Sequence, residues 1–183
     1  MFIHKTAILD DNITLGNGIS IWHFCHVMSG SRIGDNSILG QNVMIGRNVR
    51  IGKGCKIQNN VSVYEGVELS DNVFCGPSCV FTNVTNPRSF VNRKKEFKKT
   101  LVKEGASIGA NATIICGITI GSFSLIGAGS VITKDVKSYA IMAGNPAKKI
   151  GWVSTEGYKL DENLRCPETG EEFYLDDEIL RKK

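Results

Sequence analysis

Large apolar side chains recur every six residues along most of this chain. In a frame that starts at Ile8, the second column reads Leu9, Leu15, Ile21, Val27, Ile33, Leu39, Ile45, Ile51, Ile57, Val63, Leu69, Cys75 and Phe81. After a break it resumes as Val102, Ile108, Ile114, Ile120, Ile126 and Ile132. The sixth column, from Ile13, Ile19 and Cys25 to Ser130 and Val136, holds small or β-branched residues. The fifth column is Gly or Asn in 14 of 19 hexads, the two residues most tolerant of a left-handed backbone. The third column adds glycines such as Gly40, Gly76, Gly109 and Gly127.

An α-helix would repeat every 3.6 residues, and a meander would space its turns irregularly. A period of six describes a short strand plus a corner: one large aliphatic fills the core, a smaller one packs beside it, and Gly or Asn turns the chain. Three hexads close a triangular coil of 18 residues, and coils stack at the ~4.8 Å spacing of paired strands. Six coils then make a prism roughly 30 Å long. The pattern predicts an all-β parallel β-helix over residues 1–150, with one extruded loop at 86–101 and a short C-terminal extension at 151–183.

Charge sharpens this picture. The chain carries a net charge of +4, but Ser154 to Lys183 holds nine acidic and five basic residues, so the prism and loop are strongly cationic. The break in the repeat, Asn86 to Thr100, contains six basic residues and one acidic. Such a loop is either a solvated face or an arm that reaches a neighbour's cleft and holds phosphates. A cationic body suits acidic small molecules. Nucleic acid is disfavoured, because no stacking aromatics accompany the basic residues. Phe173 to Lys183 are expected to form a short amphipathic helix.

Hexapeptide repeats of this kind resemble the left-handed β-helix acyltransferases, and the hand of the prism is taken from that resemblance. The segment Ala143-Gly144-Asn145-Pro146-Ala147-Lys148-Lys149-Ile150 resembles the Gly-x-Pro-Ala-(Lys/Arg) stretch that closes these enzymes. The resemblance implies coenzyme A as the acyl carrier and homotrimers with active sites between neighbouring prisms. Lys134, Asn145, Pro146, Lys148 and Lys149 are then expected near the coenzyme's nucleotide end. Gly109, Gly127 and Ala128 offer small side chains against which a pantetheine arm could lie.

Residues 18 apart stack on one face. Ser29, Arg47, Glu65 and Asn83 form one ladder that ends at the loop, with Tyr64 and Thr82 beside it; His23, Gln41 and Asn59 form another. These are either walls of a sugar site or ordinary polar surface, with Arg47–Glu65 a plain ion pair. Relatives that acetylate sugar hydroxyls place a histidine before a proline at the loop's root, where this chain has Asn86-Pro87. A hydroxyl needs a general base, whereas a free amine does not need a strong one. The missing histidine therefore argues for N-acylation, with Asn83 or Asn86 orienting the amine and Glu65 or His23 available for its proton. Arg88 joins Arg47, Tyr64, Gln41 and Asn59 as a candidate for substrate contact.

The stretches Ile21–Val27, Gln58–Val67 and Phe74–Asn83 look similar to bacterial UDP-2-acetamido-3-amino-2,3-dideoxy-glucuronate N-acetyltransferases and to dTDP-3-amino-sugar N-acetyltransferases. That likeness implies acetyl transfer from acetyl-CoA to the 3-amino group of a UDP-linked sugar in surface polysaccharide synthesis. Three alternatives remain open: sugar O-acetylation, a non-catalytic structural β-helix, and a zinc-dependent γ-type carbonic anhydrase. The last needs three convergent histidines, and only His4, His23 and His26 are present.

The six cysteines show no CxxC pair; four fall on inward columns, where cysteine acts as a small hydrophobe. Cys166-Pro167-Glu168-Thr169-Gly170 resembles half of a zinc ribbon without a second cysteine pair, so no metal is expected there. No apolar run approaches the ~20 residues of a membrane span, and the first residues do not read as a signal peptide. A cytoplasmic protein is expected.

Overall fold

The six-residue period folds into three parallel sheets, seen in a computed structural model that describes residues 1–183. Two-residue strands such as Ile8–Leu9, Thr14–Leu15 and Ser20–Ile21 succeed one another around the prism, each paired with the strand 18 residues on. The first face runs from Phe2–Ile3 to Ala140–Gly144, the second from Ile8–Leu9 to Val131–Ile132 and the third from Thr14–Leu15 to Thr119–Ile120. The left-handed β-helix is therefore longer than the six coils expected. Ile3 already occupies the second column, so a rung precedes Ile8, and Ala140–Gly144 adds another after the hexads stop. Across the extruded loop Leu69 pairs with Val102 and Cys75 with Ile108, so the stack continues without a gap.

The second column is buried from Ile21 to Ile132 and forms one continuous core with the sixth. Most buried polar groups in the sixth column meet corner carbonyls, of the coil above or, at Ser124, of the residue's own hexad, where the hydroxyl donates to the Gly121 carbonyl. The buried Ser31 and Ser37 hydroxyls donate to the carbonyls of Gly46 and Gly52 at 2.7 and 2.9 Å. The thiols of Cys25 and Cys55 reach the carbonyls of Gly40 and Ser70 at 2.9 and 3.1 Å. A corner carbonyl thus removes the cost of burying a small hydroxyl or thiol. All six cysteines are free and buried, and loss of solvent pushes the Cys25 and Cys55 thiols above their ordinary pKa.

From Asn12 onward every fifth-column residue of the hexads has positive φ except Val84 and Asp135, the two places where the chain leaves the prism. A residue with a Cβ costs roughly 1–2 kcal/mol there, which explains the run of Asn and Gly. At the corner between the third and first faces the two alternate for a further reason. A Cβ on Gly54 would lie 2.4 Å from the Asn72 side-chain oxygen, so each asparagine occupies the space its glycine neighbour leaves. Higher up, the Phe123 ring covers Gly105 in the same way, and Tyr139 stacks on Phe123 at 5.3 Å.

Ala147–Trp152 turns back antiparallel along Ala140–Gly144. The helix expected over Phe173–Lys183 is absent. Phe173–Asp176 and Ile179–Lys182 form an antiparallel hairpin instead. Asp177 and Glu178 both have positive φ, the geometry of a tight two-residue hairpin turn. Phe173 and Leu180 bury their side chains with Leu160 and Cys166, against Tyr139 and Trp152 of the prism's end. A Lys137–Glu178 ion pair at 2.7 Å adds a further tie. An eleven-residue helix gains little on its own in water, whereas the hairpin pairs its backbone and fills this small second core.

Candidate active site

All corners obey one local rule, so they differ in what faces outward. The corner between the first and second faces carries Trp22, Gly40, Gln58, Gly76, Gly109 and Gly127 in the third column. Beside them, in the fourth, stand His23, Gln41, Asn59, Pro77, Ala110 and Ala128. The corner between the second and third faces carries Arg47, Tyr64, Glu65 and Asn83, and from it the loop emerges. The two expected ladders therefore flank the second face. Six residues separate His23 from Ser29, roughly 20 Å at full extension, and one chain does not bring the ladders together.

On the second corner the expected Arg47–Glu65 pair does not form. Arg47 donates to the Ser29 hydroxyl at 2.7 Å, and the Asn48 amide approaches Glu65 at 3.5 Å. The loop folds back over this corner: the Lys98 N–H donates to the Asn83 carbonyl and the Thr100 N–H to the Gly66 carbonyl. Glu65 is thereby half-buried in a groove of about 500 Å³ that also receives Arg50, Glu68, Lys94, Lys95 and Lys99. Asn83 is half-buried at the root, while Asn86 and Arg88 stand exposed, Arg88 donating to the Pro87 carbonyl at 3.0 Å. Tyr64 is also exposed. No histidine lies in the loop or at its root.

The first corner holds what the repeat frame overlooked. Phe2 and His4, on the rung before the frame begins, meet Trp22 at 5.2 Å and His23 at 3.5 Å between ring centroids. The signal in the sequence is that Ile3 lies 18 residues before Ile21, and the two pair in register. His4 Nδ1 accepts from the Thr6 N–H at 3.3 Å and pairs with the Thr6 hydroxyl at 2.9 Å. Desolvation, then repulsion from His23 and Lys5, holds its imidazole below the ordinary histidine range. His26 instead pairs with Asp10 at 2.9 Å, and that hydrogen bond is the main cause of Asp10's lowered pKa. The three histidines do not converge, and no cluster of His, Cys, Asp or Glu is arranged to hold a metal. Gln41 and Asn59 line a cleft of about 280 Å³ with Trp22, His23 and Gln58.

Higher on the first corner, Gly109 has a structural reason of its own. A Cβ there would stand 2.5 Å from the Ala128 backbone nitrogen, so close stacking of coils excludes any side chain. Gly127 is under less pressure, with its nearest neighbour at 3.3 Å, and Ala128 is exposed. At the end of the prism Lys134, Pro146, Lys148 and Lys149 line one cleft of about 430 Å³. Asn145 joins Pro146 through a cis peptide bond. Three lysines against one aspartate, Asp135, make this cleft a fit for phosphate groups. Lys149 also lies 3.9 Å above the Trp152 ring, a cation–π contact that holds it in place.

This prism, with its clefts at corners and end, is the architecture of hexapeptide-repeat transferases. The family of bacterial transferase hexapeptides, six repeats, matches residues 3–47 and 99–134, and the hexapeptide repeat of succinyl-transferases matches 31–65. The chain belongs to this transferase family. A dTDP-3-amino-3,6-dideoxy-alpha-D-galactopyranose 3-N-acetyltransferase of Aneurinibacillus thermoaerophilus is 39% identical over 98% of this chain and 93% of its own length. A hexapeptide-repeat acetyltransferase of Vibrio cholerae, solved with acetyl-CoA, superposes with a TM-score of 0.59 at 26% identity, over 68% of this chain and 72% of that one. PerB of Caulobacter crescentus, solved with CoA and GDP-perosamine, gives a TM-score of 0.51 at 25% identity, over 81% of this chain and 56% of PerB. The expected enzyme class, an acyl-CoA-dependent transferase, is the class of these relatives. No helix is long and apolar enough to cross a membrane.

Proposed function

We propose that this chain transfers an acetyl group from acetyl-CoA to the 3-amino group of a nucleotide-linked amino sugar. The observation that carries this reading is the 39% identity, along 98% of the chain, to a nucleotide-sugar 3-N-acetyltransferase. Histidine's absence from the loop root supports an amine acceptor over a hydroxyl. UDP-2-acetamido-3-amino-2,3-dideoxy-glucuronic acid is the acceptor favoured by the sequence, in surface polysaccharide synthesis, and the relative points equally to dTDP-linked 3-amino sugars.

The amine attacks the thioester carbonyl: a C–N bond forms, the C–S bond breaks, and the amine's proton passes to the departing thiolate or to Glu65 or His23. Asn83, with Asn86 nearby, orients the amine, and a backbone N–H stabilises the oxyanion. Arg47, Tyr64 and Arg88 serve the acceptor together with Gln41 and Asn59. Lys134, Asn145, Pro146, Lys148 and Lys149 take the coenzyme's nucleotide end, while Gly109, Gly127 and Ala128 flank its arm. Ladders on opposite sides of one face complete a site only if a neighbour's ladder faces each, as in a homotrimer. The second face suits that packing: its outward residues, Ile8, His26, Met44, Ser62, Val80, Thr113 and Val131, include no Lys, Arg, Asp or Glu.

The test is thiol release from acetyl-CoA with UDP- and dTDP-linked 3-amino sugars and their 3-hydroxy analogues in parallel. Turnover of an amine alone is expected. Turnover of a hydroxyl, or of none, overturns the reading.

A further inference from the structure

Along the first corner the chemistry changes abruptly while the backbone does not. Its first three coils present Trp22, His23, Gln41, Gln58 and Asn59, whereas the next three present only Gly, Pro and Ala. Corner formation cannot be the reason, since both halves build the same turn. We propose that the first half is a nucleobase site, in which the pyrimidine ring of a nucleoside diphosphate stacks on Trp22 and is read by the amides of Gln58 and Asn59. This rests on the nucleotide-sugar reading above and names the part of the acceptor that this corner recognises.

Four observations carry it. Trp22 is 44% exposed, a large ring kept at the surface and braced by Phe2 at 5.2 Å and His23 at 6.2 Å. Aromatic rings held in this way are stacking platforms for bases. The amides beside it are of the right kind. The Gln41 backbone N–H donates to Asn59 Oδ1 at 2.9 Å, which fixes the amide and leaves its NH2 group as a donor. Gln58 offers a carbonyl and an NH2 side by side, the complement of the N3–H and O4 edge that uracil and thymine share. The cleft between these side chains, about 280 Å³, is below the range of a site for a whole small-molecule ligand and suits a base. Sugar and diphosphate would then extend along the corner toward the glycine-lined coils, where the acetyl thioester is carried. Finally, no charged side chain lines the cleft apart from His23, as a neutral base requires. With the nucleobase seated here, the amine's proton goes to the thiolate or to Glu65 and not to His23.

The experiment is calorimetric titration of the full chain, in its native assembly and without acetyl-CoA, with UDP, dTDP and GDP. UDP and dTDP are expected to bind, their ratio naming the preferred pyrimidine, with GDP at least tenfold weaker. Trp22→Ala and Gln58→Ala should each weaken UDP binding roughly tenfold or more, and Trp22→Phe should restore most of it. Unchanged UDP affinity in both alanine variants overturns the proposal. So does competitive displacement of UDP by CoA, which would make this the coenzyme's adenine site. A Trp22→Ala chain that dissociates while Gln58→Ala binds UDP normally also overturns it, identifying the aromatic patch as a subunit contact. Failure of acetyl transfer to every amine would sink only the catalytic reading, because these titrations contain no acetyl donor.

Discussion

The two corners that flank the second face are made by the same hexad and share close stacking at Gly46 and Gly109, yet their upper coils handle space in opposite ways. On the first, glycine in the third column lets coils press together, so that a Cβ on Gly109 has nowhere to go. The result is a smooth track between the Trp22 cleft and the end of the prism. On the second, the third column carries Tyr64 and Thr82, and one turn opens to extrude a cationic loop that folds back over Glu65. A periodic scaffold thus sets the spacing of every position, while one-residue choices at each corner decide whether it becomes a track or a lidded groove.

This contrast is most easily broken at Gly109. Gly109→Val forces two coils apart and should cost about 3 kcal/mol, a fall in Tm of roughly 6–12 °C. Tyr64→Val, at the same column of the second corner, should move Tm by less than about 2 °C. Equal losses by scanning calorimetry would remove the distinction.

The next largest effect tests the loop root. Asn83→Ala should lower kcat by roughly 10- to 100-fold, about 1.4–2.7 kcal/mol of transition-state stabilisation, with Tm and assembly unchanged. Undiminished turnover in a folded assembly would take Asn83 out of the site.

At the far end of the first corner, Lys148→Glu should raise KM for acetyl-CoA roughly tenfold and leave KM for the acceptor within twofold. A rise in the acceptor's KM instead would exchange the roles assigned to the two ends of that corner.

The smallest effect is read at His4. Its proton NMR titration should fall below the ordinary value of about 6.5, and His23→Gln should move it upward by removing a repelling charge. Because the folded pKa is depressed, the folded chain binds fewer protons than the unfolded one on the acid side. Stability from this group is complete above the unfolded pKa and is lost as pH falls through the folded value. An unmoved His4 titration in His23→Gln would mean that the stacked pair is not electrostatically coupled.

How far the sequence carries depends on how local the cause is. Gly and Asn every sixth residue, with aliphatics three positions before, leave one backbone solution, so faces, register and the inward cysteines were all legible. The first rung at Phe2–Ile3 keeps the aliphatic but has Thr6 where the rule has Gly or Asn, so it was not legible as a rung by that rule, and neither was the aromatic cluster it forms with Trp22 and His23. Arg47 could not be assigned a partner from an 18-residue stack, because Glu65 and Ser29 are equally spaced from it and side-chain reach decides. The loop's basic composition was plain, but its return onto Gly66 and Asn83 depends on contacts between segments far apart in sequence.

The extension shows where the boundary lies. Phe173, Leu180 and the charges between them fit an amphipathic helix as well as a hairpin, since a segment this short has no periodicity strong enough to choose. Tertiary packing chose: the end of the prism, with Tyr139 stacked on Phe123 and Trp152 alongside, offers an apolar seat that Phe173 and Leu180 fill from a hairpin. What the sequence determined by itself was the prism, because each hexad repeats the same local bargain between core filling and a left-handed corner. What only the tertiary structure decided was which side chains meet outside it, because those meetings depend on distance between segments and not on period.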